Sequence, residues 1–102
     1  VYPRDAEEVL LTHPAVNEIA ILGVADPKMG ESGVAVVVLE AGQSADEAEL
    51  LGYLDGRLAK YKWPRRIFFW SELPKSGYGK VPKHQIRKEL FARGELVEGE
   101  GV

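Results

Sequence analysis

The chain has no cysteine. That excludes disulfides, zinc–thiolate sites and thiol nucleophiles within it, and it fits a reducing cytoplasm. No apolar run is long enough to cross a bilayer, and no stretch has the pattern of a signal peptide. An excess of positive charge is lacking too. Thirteen Lys and Arg against 16 Asp and Glu give a net charge of −3, which offers no support for general binding to nucleic acid or anionic membranes. No Asp, Glu or His group has metal-ligand spacing, so no metal site is expected in this chain, and His13 and His84 read as structural. There is no internal repeat and no low-complexity tract. An initiator methionine is also missing, and Val1-Tyr2-Pro3 opens the chain abruptly; we expect a piece of a longer protein.

What is present suits one soluble domain. The 102 residues are 45% hydrophobic and 28% charged. Pro3 fits the first turn of a helix, where its missing N–H is not needed. Ala6, Val9, Leu10 and His13 then share one helical face, and Pro14 stops it. Asp5, Glu7 and Glu8 sit where the helix dipole favours anions. Glu7 and Glu8 are not a catalytic pair, because adjacent helical residues diverge. Val16 to Val24 reads as a strand. Ala25 to Gly30 reads as a loop. Val34 to Leu39 is apolar on both faces and predicts a central strand. Ser44 with Glu47 matches a capping box, predicting a helix to about Lys60 that buries Leu51, Leu54 and Leu58. Gly52 and Gly56 weaken that helix, which points either to close packing or to a tolerated defect. Ile67 to Trp70 predicts a third strand, with Trp63 and Trp70 as packing residues. Pro82 to Arg93 predicts a last helix, with Ile86 and Leu90 inward and Gly94 as its C-cap. The order α-β-β-α-β-α predicts an α+β fold: a small mixed three-stranded sheet with helices packed on it. Residues 1–94 make the domain, and residues 95–102 have the composition of a flexible tail.

The densest signal is Leu73-Pro74-Lys75-Ser76-Gly77-Tyr78-Gly79-Lys80, a glycine-rich loop ending on a lysine. Gly77 and Gly79 permit backbone angles that other residues resist. It is not a Walker loop, since only two residues separate Gly77 from Lys80 and Val81 follows. From the residues alone, Lys80 reads as a solvated surface lysine as readily as an anion ligand. Tyr78 could cover a nucleotide or simply face solvent. Lys75, Lys83, Arg87 and Lys88 make this end locally basic, either as a solvated helix face or as an attraction for phosphates.

This loop resembles the C-terminal signature of the adenylate-forming (AMP-forming) enzymes: the acyl- and aryl-CoA synthetases, the luciferases and the peptide-synthetase adenylation domains. Val1-Tyr2-Pro3 through Leu10, His13-Pro14-Ala15-Val16, Gly23-Val24-Ala25-Asp26, Gly30-Glu31 and Tyr61-Lys62-x-Pro64 follow in the family's order. The resemblance spans roughly residues 1 to 93. It departs from the commoner pattern at Val81-Pro82-Lys83-His84, where a hydrophobic-x-Arg-Arg run is usual; Pro82 puts an arginine-type contact there in doubt.

The resemblance implies the C-terminal lid domain of an ATP-dependent acyl-CoA synthetase, acting in fatty acid metabolism or on related acids. Lys80 would be catalytic in carboxylate adenylation. Ser76, Gly77, Tyr78 and Gly79 would shape the loop around substrate. After a rotation, another face of the domain would form part of the CoA tunnel. ATP and Mg²⁺ would be held mainly by the protein's own N-terminal adenylation domain, its partner, with CoA as co-substrate. The chain by itself is expected to be inactive. The acid pocket lies outside it, so chain length, or alkyl against aryl, is not legible. Alternatives are a stand-alone or non-catalytic binding module, and the end of a peptide-synthetase adenylation domain. Val-Tyr-Pro favours the CoA ligases.

Overall fold

The structure is a computed structural model and describes residues 3–26, 30–75 and 82–95. Its elements are α1 (Pro3–Leu11), β1 (Val16–Asp26), β2 (Gly30–Leu39), α2 (Glu47–Leu54), a 3₁₀ turn (Lys60–Lys62), β3 (Arg66–Phe69) and α3 (Lys83–Ala92). The sheet order is β1-β2-β3. β1 and β2 form an antiparallel pair, and β3 joins β2 in parallel after the α2 crossover. This is the α+β fold with a mixed three-stranded sheet that the sequence predicts. No helix among the described residues is long and apolar enough to cross a membrane.

β2 is the middle strand and is buried on both sides, as its unbroken apolar run requires. Successive side chains alternate between faces. Val34, Val36 and Val38 meet Ala20 and Leu22 of β1 on one face, under Ile86 and Leu90 of α3, with Trp70 and Leu73 closing the cluster. Ala35 and Val37 meet Ile21 and Ile67 on the other face, under Ala6 and Leu10 of α1 and Leu50 and Leu54 of α2. The sheet therefore lies between one helix and two. Asn17 is skipped in the β1–β2 register, which makes a bulge at the start of β1.

Three local expectations need correction. The cap of α2 is Asp46, not Ser44: the Asp46 side chain accepts the Glu49 N–H at 2.8 Å. Glu47 then sits at the first helical position, where its carboxylate does other work. The helix also ends at Leu54, well short of Lys60, because Gly56 turns the chain with a φ of +82°. Its fully buried leucines are Leu50 and Leu54, while Leu51 and Leu58 pack only partly against the same cluster. Close packing does not explain Gly52, since a Cβ there would meet nothing within 4 Å.

α3 ends as expected at Gly94, with φ +74°. The Gly94 N–H donates to Phe91 O at 3.0 Å and the Glu95 N–H to Leu90 O at 2.9 Å, the paired bonds of a Schellman motif. Glu95 is held further: its carboxylate accepts the Trp70 indole N–H at 2.8 Å.

Candidate functional site

Ser76, Gly77, Tyr78, Gly79 and Lys80 lie outside the described residues, as does Val81. The structure describes the two stems of that loop. The incoming stem leaves Trp70, which is buried and carries the Arg93 guanidinium 4.2 Å above its ring. Leu73 is buried in the α3-side cluster, and the chain then emerges at the exposed Lys75. The Lys75 ammonium is 2.5 Å from a Glu18 carboxylate oxygen on β1. The outgoing stem starts at Pro82, in extended geometry at the N-cap of α3. Lys83 follows. Its ammonium donates to Glu7 Oε2 at 2.7 Å and to Ile21 O at 2.6 Å. One turn later the Arg87 guanidinium donates to Gly23 O at 2.7 Å.

These ties change the reading of the basic end. Three of its four cations, Lys75, Lys83 and Arg87, hold groups on β1. They are structural anchors rather than a purely solvated face. Lys88 is exposed, and with Glu89 and Gln85 it lines a cleft of about 520 Å³ between α3 and the Trp70–Pro74 segment. The cleft includes Pro74 and carries both signs of charge.

Sequence reasoning missed what the acidic partners do. Glu7 and Glu8 look alike in sequence. Glu8 lies 3.5 Å from Arg4 at the surface, whereas Glu7 accepts the Ile21 N–H at 2.6 Å as well as pairing with Lys83. Glu7 and Lys83 together satisfy both backbone groups of Ile21 on the outer edge of β1. The one available signal was position: Glu7 directly follows the buried Ala6.

His13 Nδ1 accepts the Ala15 N–H at 3.0 Å, its Nε2 faces Glu49 at 3.2 Å, and its ring meets Tyr53 edge-on, which is a structural setting. His84 is exposed on α3. In the Tyr61-Lys62-x-Pro64 run, Lys62 donates to Asp5 at 2.9 Å, Pro64 is buried and Tyr61 is 73% exposed. Trp63 donates its indole N–H to Leu58 O at 2.9 Å, a packing role like that of Trp70. Ala25, Asp26, Gly30 and Glu31 belong to the paired strands rather than to a loop, and residues 27–29 lie outside the described residues. Among the described residues no group of three or more His, Cys, Asp or Glu could hold a metal ion.

A small mixed sheet between one helix and two is the architecture shared with the C-terminal domain of adenylate-forming enzymes. The chain belongs to that family: the AMP-binding enzyme C-terminal domain matches residues 5–80. It is 43% identical over 90 residues to a feruloyl-CoA synthase of an Amycolatopsis species, covering 88% of this chain and 18% of that protein. It is 40% identical over 98 residues to the indoleacetate–CoA ligase of Aromatoleum aromaticum, covering 96% and 19%. Among solved structures, ATP-bound MatB of Rhodopseudomonas palustris superposes with a TM-score of 0.82 at 40% identity, over 88% of this chain and 18% of that one. The amide bond synthetase McbA of Marinactinospora thermotolerans superposes at 0.81 and 36% identity, over 87% and 18%. The chain thus spans less than a fifth of the length of these relatives.

Proposed function

We propose that this chain is the lid domain of an AMP-forming carboxylic acid–CoA ligase, and that Lys80 completes the adenylation site. The observation that carries the reading is the family match, which runs to Lys80 itself. The chemistry explains why a lysine stands there. A carboxylate oxygen attacks the α-phosphorus of ATP, the bond from that phosphorus to the bridging oxygen breaks, and pyrophosphate leaves with the electron pair. Two anions must approach, and negative charge spreads over the phosphate oxygens. An ammonium reaching both groups holds them in line and stabilises that charge without any proton transfer. The chain offers no cluster of metal ligands among its described residues. Mg²⁺, which would offset phosphate charge, belongs with the N-terminal domain, as does most of the ATP site.

In the second half-reaction the CoA thiol sulfur attacks the acyl carbon, the C–O bond to phosphate breaks, and AMP leaves. The thiol proton passes to solvent. The lid rotates between the two steps, so a face other than the Lys80 loop borders the CoA tunnel. A second reading concerns the acceptor. The likeness to an amide bond synthetase supports an amine acceptor as that second reading. The feruloyl and indoleacetate ligases among the relatives favour CoA.

The test uses the full-length enzyme. Lys80→Ala should slow ATP–pyrophosphate exchange by roughly 10²–10³-fold. Acyl transfer from a pre-made acyl-adenylate to CoA should persist. Equal loss in both steps would contradict the rotating lid, and replacing CoA by an amine would decide the acceptor.

A further inference from the structure

We infer that Glu7 and Lys83 are positioning residues for Lys80: with Arg87 they fix α3 in register on the edge of β1 and so set where the loop lysine can reach. This rests on the adenylation role given to Lys80 above. Lys80 lies three residues before Lys83, so the chain between them can span no more than about 11 Å. Where the first turn of α3 sits therefore limits where the Lys80 ammonium can go.

Apolar packing does not fix that turn by itself. Ile86 and Leu90 hold α3 against the sheet, but hydrophobic contact is non-directional and tolerates a small slide along the helix axis. The polar contacts do not tolerate it. Lys83 and Arg87 are four residues apart on the helix, a rise of about 6 Å. Their acceptors, Ile21 O and Gly23 O, are two residues apart on β1, a rise of about 6.7 Å. The two periods match, so both bonds form in one register and both break when α3 slides. Glu7 fixes the third direction. Its Oε2 takes the Ile21 N–H and the Lys83 ammonium together, which places Lys83 between α1 and β1. The incoming stem is held to the same strand by Lys75 on Glu18. Both ends of the loop are thus referenced to β1. A residue that positions Lys80 should matter for adenylation and little for the step that uses another face.

The experiment uses the full-length enzyme with Glu7→Gln, Lys83→Met, Lys83→Arg, Lys80→Ala and the Lys80→Ala/Lys83→Met double variant. Glu7→Gln keeps an acceptor for the Ile21 N–H and removes the charge from Lys83. Pyrophosphate exchange and acyl transfer from pre-made acyl-adenylate are measured separately. Lys83→Met and Glu7→Gln should lower the adenylation kcat by about 10- to 100-fold, the scale of a misplaced catalytic group. Acyl transfer should stay within about twofold, and Lys83→Arg should recover most of the loss. The double variant should be no slower than Lys80→Ala alone, because residues that act through one another do not add. Normal adenylation in Lys83→Met, equal loss in both half-reactions, or a full additive loss in the double variant would each overturn the inference. Normal adenylation in Lys80→Ala would instead remove the underlying reading of Lys80.

Discussion

Glu47 and Ile67 meet at the outer edge of β3, where the Glu47 Oε2 accepts the Ile67 N–H at 2.8 Å. The first turn of α2 thereby closes one edge of the sheet, as Glu7 and Lys83 close the other. Unpaired strand edges invite association with other chains, and charged side chains across them prevent it.

Removing that carboxylate should show in stability. Glu47→Ala leaves the Ile67 N–H without its partner in a partly buried site, which costs about 1–3 kcal/mol. Glu47→Gln keeps an acceptor oxygen and should cost less. Urea unfolding midpoints compare the two. An alanine variant as stable as the parent would take this bond out of the account.

The two faces of the sheet can be probed in the same way. Leu50 and Leu90 are both fully buried, one under each face, in separate clusters. Each truncation to Ala should destabilise by about 2–5 kcal/mol, from lost burial and the cavity left behind. A loss below 1 kcal/mol at either site, read from the same midpoints, would mean that face is not a packed core.

Much of this fold was legible because its signals are local and periodic. The double-sided apolar run of Val34 to Leu39 reads as a covered middle strand, and Ile86 and Leu90, four residues apart, read as one face of a helix. The loop motif stood out through its resemblance to the family's signature, because the residues alone left Lys80 open between a surface lysine and an anion ligand. What was not legible depended on tertiary neighbours. Only its place beside Ala6 separates Glu7 from Glu8 in the string; the rest of the difference is the edge of β1 that arrives 14 residues later. Ser44 and Asp46 are both good caps, and the helix starts after the nearer one because Glu47 must reach Ile67. The end of α2 was misplaced because Gly56 reads equally as a weak helical residue and as a left-handed stop.

Two glycines should respond with opposite sign. Gly94 has a φ of +74°, a conformation that a side chain resists, although a Cβ there would meet nothing within 4 Å. Gly94→Ala should therefore cost about 1–2 kcal/mol from backbone strain alone. Gly52 lies inside α2 with equally open space and no positive φ. Gly52→Ala should stabilise by about 0.5–1 kcal/mol, chiefly by restricting the unfolded chain. Thermal unfolding of both variants reads the signs directly. Destabilisation by Gly52→Ala would show that the site has a packing partner after all.

The last prediction separates folding from catalysis. The 102-residue chain has a core on both faces of its sheet and ties across both sheet edges. It should fold alone and unfold cooperatively in urea. Adenylation needs more than Lys80: the nucleotide must be gripped, the acid held in line and the phosphate charge offset. The chain spans less than a fifth of the length of the CoA ligases it resembles, and its cleft along α3 carries both signs of charge. The chain incubated with ATP, Mg²⁺, CoA and a panel of carboxylic acids should therefore yield no AMP. The full-length enzyme under the same conditions should yield it with at least one acid. A folded circular dichroism spectrum with no turnover is the expected pair of results. Sustained AMP formation by the isolated chain would place the whole active site within it and end the account of Lys80 as a residue that works on a second domain.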